Sequence, residues 1–290
     1  MSTVMLFEEP GPRAKRRHRV LEVVSWVVVA GVAYGVAWTL NKNGAFDAAA
    51  WKPFSQWGVW RQLGLGLLNN LRAAVVGMLL SMLFGCLLGW GLLSKRKLVR
   101  NPCRAFADLF NGIPILLLLF FTSLVLPSWG LPLSDFWFLV IALSLYSTAV
   151  VGDLVRAGVM ALPRGESEAA AALGFSESQS MWLILLPQAL RVMSPALLSQ
   201  MVIVFKGTTL AFVLGGYFDL LRSATVLGAY YSRSLLQAQV VAAIAFMLVN
   251  IGLSQMAAAI DRREKQRYGT QPVALDDLDT HGGGAASLAR

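Results

Sequence analysis

Histidine and cysteine are nearly missing from this chain of 290 residues, which has two of each. His18 and His281 lie outside the long apolar stretches, which removes intramembrane haem ligation by histidine and histidine proton relays. Cys86 and Cys103 sit in or beside apolar sequence on what the charge pattern makes the reducing side, so they read as neither a metal pair nor a disulfide. No G-x-x-x-x-G-K-[ST] occurs, so the chain has no P-loop to cradle nucleotide phosphates. H-E-x-x-H, G-x-S-x-G and C-x-x-C are absent too, leaving enzymatic chemistry without residues to carry it and no metal site. Charge is scarce: 14% of residues are charged against 56% hydrophobic, with a mean hydropathy of +0.60. That balance is too apolar for an ordinary soluble domain and implies a multi-pass protein of the lipid bilayer.

A net charge of +9 invites a nucleic-acid reading, so the placement of the charges decides. They gather beside apolar segments instead of on one face, which excludes nucleic acid as the partner. A bilayer core needs about 20 mostly apolar residues per spanning helix. That length predicts six spans, at residues 23–40, 73–93, 113–129, 136–160, 189–217 and 238–260. Basic residues accumulate on the cytoplasmic side. Arg13, Lys15, Arg16, Arg17 and Arg19 precede the first span, and Lys95, Arg96, Lys97, Arg100 and Arg104 follow the second. Arg156, Arg164 and Arg191 flank the loop after the fourth, and Arg262, Arg263, Lys265, Arg267 and Arg290 follow the sixth. The opposite loops hold Lys42, Lys52, Arg61, Arg222 and Arg233, so both termini are expected in the cytoplasm. The first stretch follows a basic region and precedes Ala48-Ala49-Ala50, as a cleaved signal would, but its apolar core is long and a retained anchor is preferred.

Carboxylates are missing from the middles of the spans. Asp108, Asp135, Asp153 and Asp219 all fall near span ends, and no internal repeat is visible. An ion-coupled secondary transporter usually shows one or the other, so ion coupling stays the alternative reading. In the second span Gly77, Ser81, Gly85 and Gly89 recur every four residues, a stripe that lets a neighbouring backbone approach and reads as helix packing. Pro187 and Pro195 permit bends around the fifth span. Asp153 and Arg156, three apart on the fourth helix, are placed to meet as a headgroup-level ion pair or a gate. Lys206 stands inside an apolar run, facing either the bundle interior or snorkelling to the headgroups.

Between the fourth and fifth spans the chain turns water-compatible, with EAAAALGFSESQSMWLILLP over residues 168–187. Residues 166–173 are dense in alanine, the best helix former. Gly174 suits the left-handed cap that ends such a helix. Ser176-Glu177-Ser178-Gln179 has capping-box spacing with Glu177 in the first turn. Two short helices joined at Gly174 are expected, serving either as a re-entry elbow or as a docking surface.

Glu168-Ala169-Ala170, three residues, Gly174, nine residues, then Ile184, Leu186 and Pro187 resembles the EAA signature of permease subunits of bacterial ABC importers, matching every fixed position. The resemblance extends over residues 66–260. Leu173-Gly174, Pro187-Gln188-Ala189 and Arg156-x-Gly158 are similar more narrowly to the polar amino-acid branch, including glutamate/aspartate and glutamine permeases. Asn111-Gly112-Ile113-Pro114, Glu166 and Gly207 depart from that branch. The resemblance implies an all-α, type I ABC importer membrane domain of the bacterial inner membrane, with a cytoplasmic coupling helix between spans four and five. Its implied partners are two ATPase subunits that bind ATP and Mg, a second permease, identical or homologous, and an extracytoplasmic solute-binding protein. Glu168 would offer a polar contact to the ATPase, Ala169 and Ala170 close seating, and Gly174 the angle between helices. Ile184, Leu186 and Pro187 would join the docked element to the fifth span. On this reading residues 1–22 form a basic cytoplasmic arm, 23–40 an accessory span, 41–65 an external loop and 261–290 a disordered tail, with the loop at 218–236 meeting the binding protein.

Overall fold

Proline decides where the helices break. A computed structural model describes residues 12–268, and every regular element among them is helical. Helix α1 runs Pro12–Lys42, α2 Ala48–Trp51 with a 3₁₀ turn at Lys52–Ser55, and α3 Trp57–Leu93. Helix α4 (Lys97–Gly112) and α5 (Ile115–Ser128) are separated by Ile113 and Pro114. Ile113 precedes a proline and is therefore extended, at φ −87° and ψ 128°; Pro114 follows at φ −56° and ψ 131°. The chain turns by 103° there. Helix α6 spans Asp135–Met160 and ends ahead of Pro163. Next come α7 (Arg164–Ala172), α8 (Glu177–Gln179), a π-helical segment Ser180–Leu185 and α9 (Leu186–Val192). Met193, before Ser194-Pro195, leaves the helix at φ −91° and ψ 2°, and α10 (Ser194–Gly207) restarts with Pro195 in its first turn. A 3₁₀ stretch Thr208–Leu214, then α11 (Leu220–Tyr230) and α12 (Leu235–Tyr268), complete the order.

Five helices among the described residues are long and apolar enough to cross a bilayer: Arg17–Lys42, Trp57–Leu93, Asp135–Met160, Ser194–Leu214 and Leu235–Ile260. The bent α4–α5 pair makes a sixth if counted as one. This corrects several expected boundaries. The span expected at 189–217 is divided at Met193 and finishes in 3₁₀ geometry. The one expected at 73–93 begins at Trp57, so residues 41–65 are largely helical. The first and last helices extend beyond 23–40 and 238–260, over Pro12–Lys42 and Leu235–Tyr268. Of the tail expected to be disordered at 261–290, residues 261–268 instead continue helix α12; the rest, with His281 and Arg290, lies outside the described residues, as do residues 1–11.

The described chain falls into two units, residues 12–61 with 225–240 and residues 62–224 with 241–268. In the first, the segment after α1 is tied to the start of α12. Ser234 Oγ donates to Ala50 O at 2.8 Å, Gln237 Nε2 to Ala45 O at 2.7 Å, and Tyr231 Oη to Gln56 Oε1 at 2.8 Å. The apolar window of α1 is wholly exposed.

The second unit is organised around α6, two thirds of whose apolar window is buried (67%), against 39% for α3 and 33% for α10. Leu139, Val140, Ala142 and Leu143 of α6 join Leu118, Leu119, Val204 and Phe205 in the main core. The small-residue stripe of α3 lies against this helix. A Cβ added at Gly85 would sit 2.5 Å from Val151 Cγ1, and one at Gly89 2.6 Å from Val155 Cγ1, so glycine is what allows the two backbones to approach. Ser81, fully buried, bonds its own helix through Oγ to Gly77 O at 2.6 Å, and Ser144 Oγ of α6 reaches the same carbonyl at 3.4 Å. Gly77 is less crowded, its nearest neighbour for a Cβ being Leu143 at 3.6 Å.

This difference along one stripe is testable. Gly85→Ala must displace a stiff β-branched side chain and should cost about 1–3 kcal/mol. Gly77→Ala meets ordinary contact and should fall within about 0.5 kcal/mol of neutral or gain from helix propensity. Thermal unfolding of the purified variants in detergent checks both, and equal midpoints would contradict the packing described.

Candidate functional site

The alanine-rich segment folds as two helices hinged at glycine. Helix α7 ends in a Schellman arrangement, with Gly174 N donating to Ala171 O at 3.0 Å and Phe175 N to Ala170 O at 3.1 Å. Gly174 adopts φ +82°, a left-handed geometry that any side chain would strain. The next helix opens with a full capping box: Gln179 N donates to Ser176 Oγ at 3.3 Å and Ser176 N to Gln179 Oε1 at 2.9 Å. The π register over Ser180–Leu185 leads into Leu186-Pro187, where proline removes one backbone donor.

The signature residues divide by exposure. Glu168, Ala169, Gly174 and Pro187 are exposed, Ile184 is half-buried, and Ala170 and Leu186 are buried at 1% and 6%. Ala170 therefore packs inside the chain, while Glu168 and Ala169 face outward. Leu186 joins Val151, Val155, Met181 and Leu197 in a core cluster that anchors the element on α6. Ala189 is fully buried, and at Gly158 an added Cβ would meet Ala189 O at 3.1 Å and Met193 Cγ at 2.6 Å, so α9 lies directly on the end of α6.

Three ties, none of them visible in sequence spacing, hold this element. Gln188 Nε2 donates to Glu166 Oε2 at 2.9 Å, closing α9 onto α7. Lys95, just after α3, donates to and ion-pairs with Glu177. The Trp90 and Trp182 rings lie 6.2 Å apart between α3 and the π segment. Hydrogen bonding from Lys95, its charge, and the charge of Arg96 hold the Glu177 carboxyl below its ordinary value.

The other expected sites lie elsewhere. Asp153 is not ion-paired with Arg156 among the described residues. It accepts from Asn111 Nδ2 at 2.8 Å, fastening the α4–α5 bend to α6, because the turn at Ile113-Pro114 brings the amide closer than a neighbour on the same helix. Lys206 lines an open groove of about 670 Å³ between α10 and α12 with Phe246, Met247, Asn250, Ser254 and Gln255. It has no ion-pair partner among the described residues. Asn250 Nδ2 donates to Phe246 O at 2.9 Å while its buried Oδ1 has no partner. Cys86 and Cys103 are free, and no metal-holding group occurs among the described residues.

Sequence reading also missed a polar clasp at the other end of α3. Asn70, fully buried, donates from Nδ2 to Thr208 Oγ1 at 2.9 Å and accepts at Oδ1 from Leu220 N at 2.8 Å. Asn69 Nδ2 donates to Phe218 O at 2.9 Å and Tyr217 Oη to Asn69 O at 2.8 Å. The signal available was two adjacent asparagines inside an apolar helix, which lipid would not tolerate without internal partners.

Residues 81–266 match the family described as binding-protein-dependent transport system inner membrane component. This chain belongs to that family. It is a multi-pass inner membrane protein, and the matched region contains the whole hinged element. The chain is 36% identical over 228 residues to the glutamate transport system permease protein of Corynebacterium glutamicum, covering 77% of this chain and 83% of that one. It is 31% identical over 208 residues to the glutamate/aspartate import permease protein of Escherichia coli, covering 68% and 91%. A crystal structure of an amino acid ABC transporter with histidines shares the fold, at a TM-score of 0.65 and 24% identity, covering 72% of this chain and 97% of that one. Nothing in these likenesses favours an ion-coupled secondary transporter.

The Lys95–Glu177 tie carries a pH prediction. A carboxyl held below its ordinary value stays ionised through the usual carboxylate range, and the tie is lost only as pH falls through that depressed value. Spin labels at Ser94 and Ser178 should report one narrow distance from neutral pH through that range, broadening only in stronger acid. Glu177→Gln should show the broad distribution at every pH.

Proposed function

We propose that this chain is the permease subunit of an ABC importer for a polar amino acid, with glutamate/aspartate or glutamine the leading cargo. The observation that carries this reading is the hinged element of α7 to α9. It is exposed and small-surfaced at Glu168 and Ala169, rigidly capped on both sides of Gly174, and packed through Leu186 and Ala189 onto α6. It is built to be gripped from outside and to pass displacement into the bundle. The chain has no P-loop of its own, so the energy enters here from two ATPase subunits that hold ATP and Mg.

In this arrangement α5 makes the third of six crossings, both termini face the cytoplasm as the basic residues direct, and α1 is an accessory span outside the transporting bundle. A second permease, identical or homologous, faces the first, and a solute-binding protein meets the end of the bundle that carries α11. Glutamate and glutamate/aspartate are what the permeases of C. glutamicum and E. coli are named for, which supports an amino-acid cargo. The Lys206 groove lines the path. Its ammonium, with no ion-pair partner among the described residues, offers a partner to a carboxylate.

Gly174→Leu tests the docking role. Forcing a leucine into the left-handed region costs about 1–2 kcal/mol, so ATP-driven uptake into proteoliposomes should fall roughly tenfold and ATPase copurification should weaken, with the bundle still inserted. Normal uptake with normal copurification would refute it. Lys206→Met should leave the assembly intact and raise the cargo concentration for half-maximal uptake about tenfold, the worth of one hydrogen bond to a charged group.

A further inference from the structure

Helix α4 presents three arcs of side chains around its axis. The first is packed. Cys103 and Phe106 lie against Leu88, Leu92 and Ala107, Cys103 presses on Gly91, and Phe106 and Phe110 pair at 4.4 Å. The second is cationic, comprising Lys97, Arg100 and Arg104. Arg104 Nε is 3.7 Å from Asp108 Oδ2 with both side chains largely exposed, while Lys97 and Arg100 have no ion-pair partner among the described residues. The third is apolar and uncovered, with Leu98 91% exposed and Leu109 55%.

The direction of α4 gives these arcs a setting. Helix α5, the third crossing on the reading above, has 14 residues, a rise of about 21 Å. At its start the chain turns by 103°, so α4 does not prolong the crossing but runs nearly perpendicular to it. Its packed arc touches Leu88, Gly91 and Leu92, the last turns of α3, which places α4 at the end of the bundle where Lys95 and Arg96 emerge.

We propose that α4 is a membrane-surface helix, with Lys97, Arg100 and Arg104 binding the headgroups of anionic phospholipid while Leu98 and Leu109 enter the acyl boundary beneath. Exposed cations on the same helix as an exposed leucine arc fit a leaflet, which offers negative headgroups directly above hydrocarbon along the whole helix. A protein partner would have to place an acidic face and an apolar face at that same adjoining angle. Lipid held here would also steady the α4–α5 bend, which Asn111 fastens to Asp153.

The test places a photoreactive phenylalanine at Leu98 in the full chain, purified with its transport partners and embedded in nanodiscs of equal phosphatidylglycerol and phosphatidylcholine. Crosslinked adducts are identified by mass spectrometry. Adducts should be lipid and favour phosphatidylglycerol severalfold, less so as salt rises. Lys97→Gln, Arg100→Gln and Arg104→Gln should each lower the ratio by up to about fivefold, and the triple variant should bring it to parity. Arg100→Lys with Arg104→Lys should keep the preference, showing that charge and not guanidinium packing sets it. Equal adducts in the unaltered chain, a ratio unmoved in the triple variant, or adducts to another protein subunit would each overturn the proposal. The assay reads lipid contact without cargo, so its failure would leave the importer reading standing.

Discussion

The close approach of α3 to α6 is the constraint on which the rest depends. Lipid gives no hydrophobic drive for two apolar helices to associate, so they are held by contact between backbones and short side chains. Gly85 and Gly89 admit Val151 and Val155 to distances that any other residue would forbid. With that seam closed, α6 has a fixed position and becomes the surface on which α4, α5, α9 and α10 are arranged. Asp153, Gly158 and the Leu139–Leu143 core face all belong to this one helix.

Helix breaks then turn a static bundle into one with handles. Pro114 lays α4 across the end of the bundle, Pro187 sits where a π register gives way to α-helix, and Pro195 restarts a helix that Met193 interrupts. The element from α7 to α9 is the most elaborated. Its local hydrogen bonds are complete on both sides of Gly174, and its tertiary ties run to α3 as well as α6. Glu168 and Ala169 therefore lie on an element fastened to two of the long helices.

Polar groups mark where the two ends of the unit differ. Asn69 and Asn70 of α3 hold the 208–220 segment through four hydrogen bonds, and the buried Asp219 Oδ2 of that segment has no partner among the described residues. Between α10 and α12 Lys206 lines an open groove without an ion-pair partner among the described residues, and Asn250 Oδ1 is buried without a hydrogen-bond partner among them. The cationic and leucine arcs of α4 occupy the boundary.

Local chemistry was legible in the residues. The capping box at Ser176, the left-handed Gly174, the glycine stripe of α3 and the apolar lengths all follow from interactions within a few residues or from one helix meeting lipid. Long-range pairings were not. Asp153 was expected to meet Arg156 on its own helix, yet it meets Asn111, because the direction of α5 after Pro114 determines what stands opposite. Glu166 found Gln188, Glu177 found Lys95, and Ala170 turned inward while Ala169 stayed out, although the alanine run treats them alike. Helical class, membrane habitat and the hinge at Gly174 were readable along the chain, since they rest on composition, period and backbone sterics. The 103° turn at Ile113-Pro114, the break at Met193, the polar pairings and the faces left open emerged from the fold, since they depend on angles between helices that no local pattern encodes.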